Sequence, residues 1–90
     1  MESISHWING SVSTEKSERT GDVYNPATGG ISAKVNFATN QTVDQAVVVA
    51  TNAFAEWRHS SLTKRTQVLF AFRELVQQNK EKLAALITNE

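Results

Sequence analysis

The 90-residue chain contains no cysteine, and this absence excludes several kinds of site. Without a thiol there is no disulfide framework, no thiolate metal site and no nucleophilic cysteine in these residues. No apolar run approaches the ~18 residues of a membrane-spanning helix. The first eight residues also lack the basic start and apolar centre of a signal peptide, and no transit peptide is seen. We expect a soluble chain of the cytoplasm or, in a eukaryote, of the mitochondrial matrix.

Neither sign of charge is in excess. Nine basic and nine acidic residues cancel, and the chain is 40% hydrophobic and 20% charged. A nucleic-acid-binding surface normally needs a basic excess on one face, so we expect neither a nucleic-acid partner nor a membrane partner. The composition is typical of one small globular domain.

Up to about residue 40 the pattern predicts short strands separated by turns. The pair Asn9-Gly10, flanked by apolar residues, favours a hairpin with a type I′ turn. The polar stretch 13–22 predicts a solvated turn or a ragged edge strand. Pro26 is the only proline, and Gly29-Gly30 permit positive φ, which indicates a reverse turn between two strands. The second strand would present on one face Ile31, Ala33, Val35 and Phe37.

From residue 41 the apolar residues repeat with helical spacing. Thr42, followed three residues later by Gln45, predicts a capping box at the start of a first helix. Three consecutive valines at 47–49 favour a strand instead, but the periodic stretch is too long for one strand. This helix would present on one face Val43, Ala46, Val47, Ala50, Ala53, Phe54 and Trp57.

Two further helical runs follow a break at residues 58–61. Ser60 or Ser61 is the expected N-cap of the second helix, and Asn79 is expected to end it in a left-handed or capping conformation. A third run carries Leu83, Leu86 and Ile87. The apolar stripe of the second helix, named the Leu69 stripe below, comprises Leu62, Leu69, Phe72 and Val76, flanked by Val68 and Leu75.

These helices carry more apolar surface than the short β half can cover. A long exposed stripe usually marks a partner surface. The ending "LAALITNE" also has no glycine, proline or basic last turn. We therefore expect a piece of something larger, which on its own is marginally stable or self-associates.

Few residues carry side chains that could take part in catalysis or ligand binding. A catalytic histidine needs a nucleophile and an orienting carboxylate within reach, so His6 is interpreted as a surface residue and residues 59–61 as a solvated loop with a serine cap. Arg58, Lys64 and Arg65 are interpreted as solvated charge, with phosphate or CoA binding as the alternative. Trp57 is interpreted as a core residue, and "TGG" lacks the dinucleotide fingerprint. We predict no catalytic, cofactor-binding or metal-binding side chain in this chain.

The order of these elements resembles the N-terminal segment of the aldehyde dehydrogenase superfamily. The resemblance runs from about Ile4 to Glu90 and is carried by "WINGSV", "VYNPATGG", the helical spacing Ala53-Phe54…Trp57 and the final "LAALITNE". The phrase "QVLFAFRELVQQN" and the tail are most similar to the CoA-acylating methylmalonate-semialdehyde dehydrogenase branch.

The resemblance implies an α/β fragment that forms the N-terminal part of the NAD-binding domain. Residues 1–40 would form a β-hairpin, short strands and turns. Residues 41–90 would form two or three helices that pack on a Rossmann-type domain, with the catalytic domain absent. The parent would be a homo-oligomer, a dimer or a tetramer.

The implied activity is NAD(P)-dependent oxidation of an aldehyde, in which a cysteine thiolate attacks the carbonyl and the nicotinamide takes the hydride. In the acylating branch a semialdehyde, CoA and NAD give acyl-CoA, CO₂ and NADH. The family's cysteine, general base, oxyanion-hole asparagine and nucleotide contacts lie downstream, so the chain alone should be inactive. The alternative is a non-catalytic helical interaction module that grips a partner with Leu69, Phe72 and Val76.

Overall fold

The structure, a computed structural model, describes residues 2–90. Five short strands come first, namely β1 (Glu2–Ile4), β2 (Trp7–Ile8), β3 (Ser11–Val12), β4 (Thr20–Tyr24) and β5 (Ile31–Asn36). Three helices follow, namely α1 (Asn40–Trp57), α2 (Leu62–Gln78) and α3 (Lys80–Thr88). This order of short strands and then helices confirms the α/β expectation.

The hairpin predicted at Asn9-Gly10 is confirmed. Strands β2 and β3 pair antiparallel on either side of these two residues. Asn9 has φ 56° and Gly10 has φ 79°, the left-handed values that a type I′ turn requires at both central positions. The pairing extends one step outward, because the Ser13 amide donates to the His6 carbonyl at 2.7 Å.

The reverse turn around Pro26 joins β4 and β5, which pair antiparallel. Asn25 organises this turn through two oxygens: its side-chain Oδ1 accepts from the Ala27 amide at 2.9 Å, and its carbonyl accepts from the Gly29 amide at 2.8 Å. Gly29 takes a positive φ of 74°, whereas Gly30 does not use that freedom. The turn therefore needs one of the two glycines for its backbone conformation.

Strand β1 pairs parallel with β5 and gives a three-stranded sheet of order β1-β5-β4. Only Ala33 of the face predicted for β5 is buried, at 4% exposed, while Val35 is half-buried. Ile31 and Phe37 remain exposed. The sheet thus has one small buried position at its centre, and the rest of its apolar face is at most half-buried.

Helix α1 begins at Asn40 with Thr39 as its N-cap, so the capping box predicted at Thr42 and Gln45 is wrong. The Thr39 hydroxyl accepts from the Thr42 amide at 3.1 Å. The Thr42 hydroxyl in turn donates to Glu15 Oε2 at 2.9 Å, and Thr42 is only 4% exposed. We name these three residues the Glu15 clasp, because they tie the irregular segment 13–19 to the start of α1.

Helix α2 begins and ends with side-chain hydrogen bonds. Ser61 is its N-cap, as one of the two predicted candidates, and its hydroxyl accepts from the Lys64 amide at 3.1 Å. Asn79 ends the helix by capping it rather than by a left-handed turn, since its φ is −107° and its Nδ2 donates to the Leu75 carbonyl at 2.8 Å. Helix α3 starts at the next residue.

We expect Ser61→Ala to destabilise α2 by about 1 kcal/mol, because the Lys64 amide loses its acceptor. Amide exchange over the first turn of α2 measures this change and should be faster in the variant. Ser60→Ala is the matched control, since no hydrogen bond of the described residues uses the Ser60 hydroxyl. Equal exchange in the two variants would contradict the capping role of Ser61.

The described residues form an extended and flat object of 48 × 34 × 15 Å. The radius of gyration is 16.9 Å, against about 12 Å for a compact domain of this length. The accessible surface is 7705 Å², about 2,500 Å² more than a compact chain of this mass would expose. Among residues 2–90 no helix packs extensively on either sheet.

Candidate docking surface

The largest chemical feature of the described residues is apolar surface without a partner. The face predicted for α1 exists, but Val43, Val47 and Phe54 on it are all more than half exposed. Trp57 at the end of the same face is also exposed, so it is not a core residue within this chain. Water contacts these side chains because nothing in residues 2–90 covers them.

The Leu69 stripe is the second such surface. All six of its residues are exposed, and α2 has no buried residue at all. The third run adds the exposed side chains of Leu83, Leu86 and Ile87 on α3. Half of the large apolar side chains that are exposed among residues 2–90 therefore lie on α2 and α3. The stripe predicted from helical spacing is confirmed as an uncovered surface.

One aromatic residue of α2 was not part of the predicted stripe. Phe70 lies about 200° around the helix from Phe72, because successive residues are turned by 100°. Its neighbours one turn away are the polar residues Thr66, Gln67, Arg73 and Glu74. Phe70 and Phe72 are equally exposed, at 62% and 63%. The helix thus carries an apolar stripe on one side and a lone phenylalanine on the other.

An apolar groove of about 450 Å³ separates the hairpin from α1. Trp7 and Ile8 form one wall, and Val43, Ala46 and Val47 line the helical wall. The small side chain of Ala46 on the helical wall allows close approach of a partner element. The groove is continuous with the apolar face of α1, which makes it part of the same unpartnered surface.

A smaller polar cavity of about 200 Å³ lies beside the Glu15 clasp at the start of α1. His6, Lys16 and Asn36 contribute to its walls. Every buried polar side-chain atom among residues 2–90 has a hydrogen-bond partner. The clasp already uses the Thr39 and Thr42 hydroxyls, so among residues 2–90 the cavity presents no buried polar atom that lacks a partner.

The two histidines do not come together with a nucleophile and a carboxylate. His6 is half-buried beside the hairpin, and His59 is exposed between α1 and α2. Of the two serines that follow His59, Ser61 has its hydroxyl accepting the hydrogen bond that caps α2. Among residues 2–90 no side-chain hydrogen bond joins either histidine to a serine or a carboxylate.

The basic cluster at the start of α2 is divided between two helices. The Arg58 guanidinium lies over the Phe54 ring, 5.6 Å from its centroid, so it contacts the apolar face of α1. Lys64 and Arg65 lie within the first turn of α2. Arg58 is therefore turned towards its own helix rather than held together with the α2 cations around an anion.

The described residues do not fit a dinucleotide or a metal centre. Gly29 and Gly30 sit between two strands and precede no helix, whereas a pyrophosphate loop leads into a helix N-terminus. Within residues 2–90 no three histidine, aspartate or glutamate side chains gather as metal ligands would. None of the helices in this range is long and apolar enough to cross a bilayer.

Short strands followed by three helices with uncovered apolar faces define the fold class of this chain as α/β. The model of the aldehyde dehydrogenase family matches residues 12–90, and the chain therefore belongs to the aldehyde dehydrogenase family.

Individual members of the family that are similar to this chain share one name, malonate-semialdehyde dehydrogenase. The chain is 41% identical over 87 residues to a malonate-semialdehyde dehydrogenase of Listeria monocytogenes, which covers 97% of the chain. It is 37% identical over 90 residues to malonate-semialdehyde dehydrogenase 2 of Oceanobacillus iheyensis and 36% identical over 90 residues to that of Lacticaseibacillus casei. The chain spans 18% of the length of these relatives.

Proposed function

We propose that this chain forms the N-terminal part of the NAD-binding domain of an aldehyde dehydrogenase. Its function there is to supply helices that pack against the Rossmann-type remainder of that enzyme, which we name the dehydrogenase body. The observation that carries this proposal is the exposed apolar face of α1 together with the Leu69 stripe. The family model matches residues 12–90, and the chain spans 18% of the length of its relatives. Both findings support the proposal that the remainder of such an enzyme covers this face.

The parent activity that we propose is CoA-acylating oxidation of a malonate-type or methylmalonate-type semialdehyde. The semialdehyde, CoA and NAD⁺ are converted to acyl-CoA, CO₂ and NADH. The names of the relatives support the semialdehyde. The resemblance of residues 67–79 and 83–90 to the CoA-acylating branch supports the acyl transfer to CoA. None of the described side chains takes part in the hydride transfer or the acyl transfer, since the chain lacks a thiol and a dinucleotide loop.

A segment exchange tests this function. The matching 87-residue segment of the Listeria monocytogenes enzyme is replaced by the corresponding residues of this chain, and this hybrid is named the chimera. We expect the chimera to form NADH from malonate semialdehyde within about tenfold of the unmodified relative, because family members tolerate substitution that preserves the packed face. Absorbance at 340 nm measures the rate.

Four controls separate the possible results. The isolated 90-residue chain and the Listeria enzyme without its segment should each form no NADH. Omission of CoA should stop the chimera if the acylating assignment is right, and NADP in place of NAD tests the cofactor choice. A soluble and folded chimera without activity, or equal activity without the segment, would refute the proposed function.

A further inference from the structure

The chain as a whole exposes more surface than a standard protein interface requires, and much of its apolar part lies on the helices. A standard protein interface buries about 800 Å² on each partner. The chain exposes about 2,500 Å² more than a compact chain of its mass, and half of its exposed large apolar side chains lie on α2 and α3. The surface to be covered is therefore about three times what one partner of a standard interface contributes.

Charge does not oppose contact between two copies. The formal net charge is zero, so no overall repulsion separates identical chains. The stripe itself contains leucine, phenylalanine and valine, which any second apolar stripe matches. A two-fold axis makes a copy of the same stripe the partner that is always present at equal concentration.

We propose that the 90-residue chain, when no dehydrogenase body covers it, pairs with a second copy of itself through the Leu69 stripe. The contact surface is the stripe side of α2, and Phe70 on the opposite side stays in water. This inference rests on exposed area and charge and holds whichever aldehyde the parent oxidises. In the chimera the same stripe is covered, so the pairing is specific to the isolated chain.

The absence of cysteine makes this contact directly testable in the full 90-residue chain. Leu69 lies near the middle of α2, so a stripe-to-stripe pair brings it near its own copy whether the helices run parallel or antiparallel. We expect Leu69→Cys to give a disulfide-linked dimer on mild oxidation. Phe70→Cys is the matched control: it lies about 100° around the helix from Leu69 and outside the stripe. It should cross-link at least about tenfold more slowly, since its thiols face water in the pair. Non-reducing electrophoresis follows both.

Sedimentation equilibrium supplies the second measurement. We expect the unmodified chain to dimerise at about micromolar concentration. Phe72→Asp should weaken the dimer by about 30-fold or more, whereas Phe70→Asp should leave it unchanged. Circular dichroism at 222 nm checks that both variants keep their helices.

Each outcome decides the proposal. Fast cross-linking at position 69 alone, with weakening by Phe72→Asp alone, supports it. A monomeric wild-type chain at high micromolar concentration, equal cross-linking at both positions, or association without cross-linking at position 69 overturns it. The activity of the chimera is measured separately, so failure of this pairing and failure of the proposed function are distinguishable.

Discussion

In the chimera, Phe72→Asp is expected to lower the rate of NADH formation by more than about 100-fold. Phe72 is 63% exposed in the isolated chain and lies in the stripe that would pack on the body. Burial of an unpaired carboxylate there costs several kcal/mol. That cost is a large part of the 5–15 kcal/mol that stabilises a typical domain. The yield of soluble chimera and its rate per milligram are measured together.

Phe70→Asp is the control that separates loss of a contact on the stripe from the general effect of an aspartate on α2. The two phenylalanines lie on the same helix, have the same side chain and are exposed to the same extent. Only their direction differs, so only a contact on the stripe side separates them. We expect the Phe70 variant to retain at least half of the activity of the chimera. Full activity in both variants would mean that α2 does not dock through the Leu69 stripe.

Local signals account for the parts of the fold that the sequence predicted. Asn9-Gly10 encodes its hairpin because both residues tolerate positive φ, which few others do. Ser61 is readable as a cap because its side chain acts on a residue three positions away. Helical spacing revealed the faces of α1 and α2 because a helix repeats every 3.6 residues whatever covers it.

Contacts between distant segments were not predictable from the same signals. Strand β1 has three residues and pairs parallel with a strand some thirty positions later, so no local pattern records the pairing. The capping-box rule predicts the cap of α1 at Thr42, because Gln45 follows three residues later. Thr39 is the cap in the structure, and Thr42 bonds Glu15, whose position 27 residues away is invisible to a helix rule.

For the candidate docking surface too, local spacing predicted one part and not the other. Spacing predicted that Leu69, Phe72 and Val76 form one face, and the structure confirms that the face is uncovered. Helical spacing does not single out Phe70, because this residue lies alone among polar neighbours on its side of α2. The identity of the partner was also beyond spacing, since an apolar face specifies only that it avoids water. Similarity to longer relatives is the reason why we propose the remainder of a dehydrogenase as that partner.

The same uncovered surface makes the isolated chain weakly stable. Its accessible surface of 7705 Å² is a little over half of the roughly 14,400 Å² of an extended chain of this mass. A small compact domain buries about 60% of its extended surface, so this chain lacks part of the hydrophobic term that offsets chain entropy. Stability should therefore come mainly from whatever covers the helices.

We expect the free energy of unfolding of the isolated monomer to lie below about 3 kcal/mol. Its urea m-value should be about 0.7 of that of a compact domain of the same length, since the m-value follows the surface exposed on unfolding. Urea titration of the ellipticity at 222 nm, at submicromolar concentration where pairing is absent, measures both quantities. A steep two-state transition with a monomer mass and a larger free energy would contradict this expectation. It would show that 90 residues stabilise this arrangement without a partner, and the apolar face would then have no need of a dehydrogenase body.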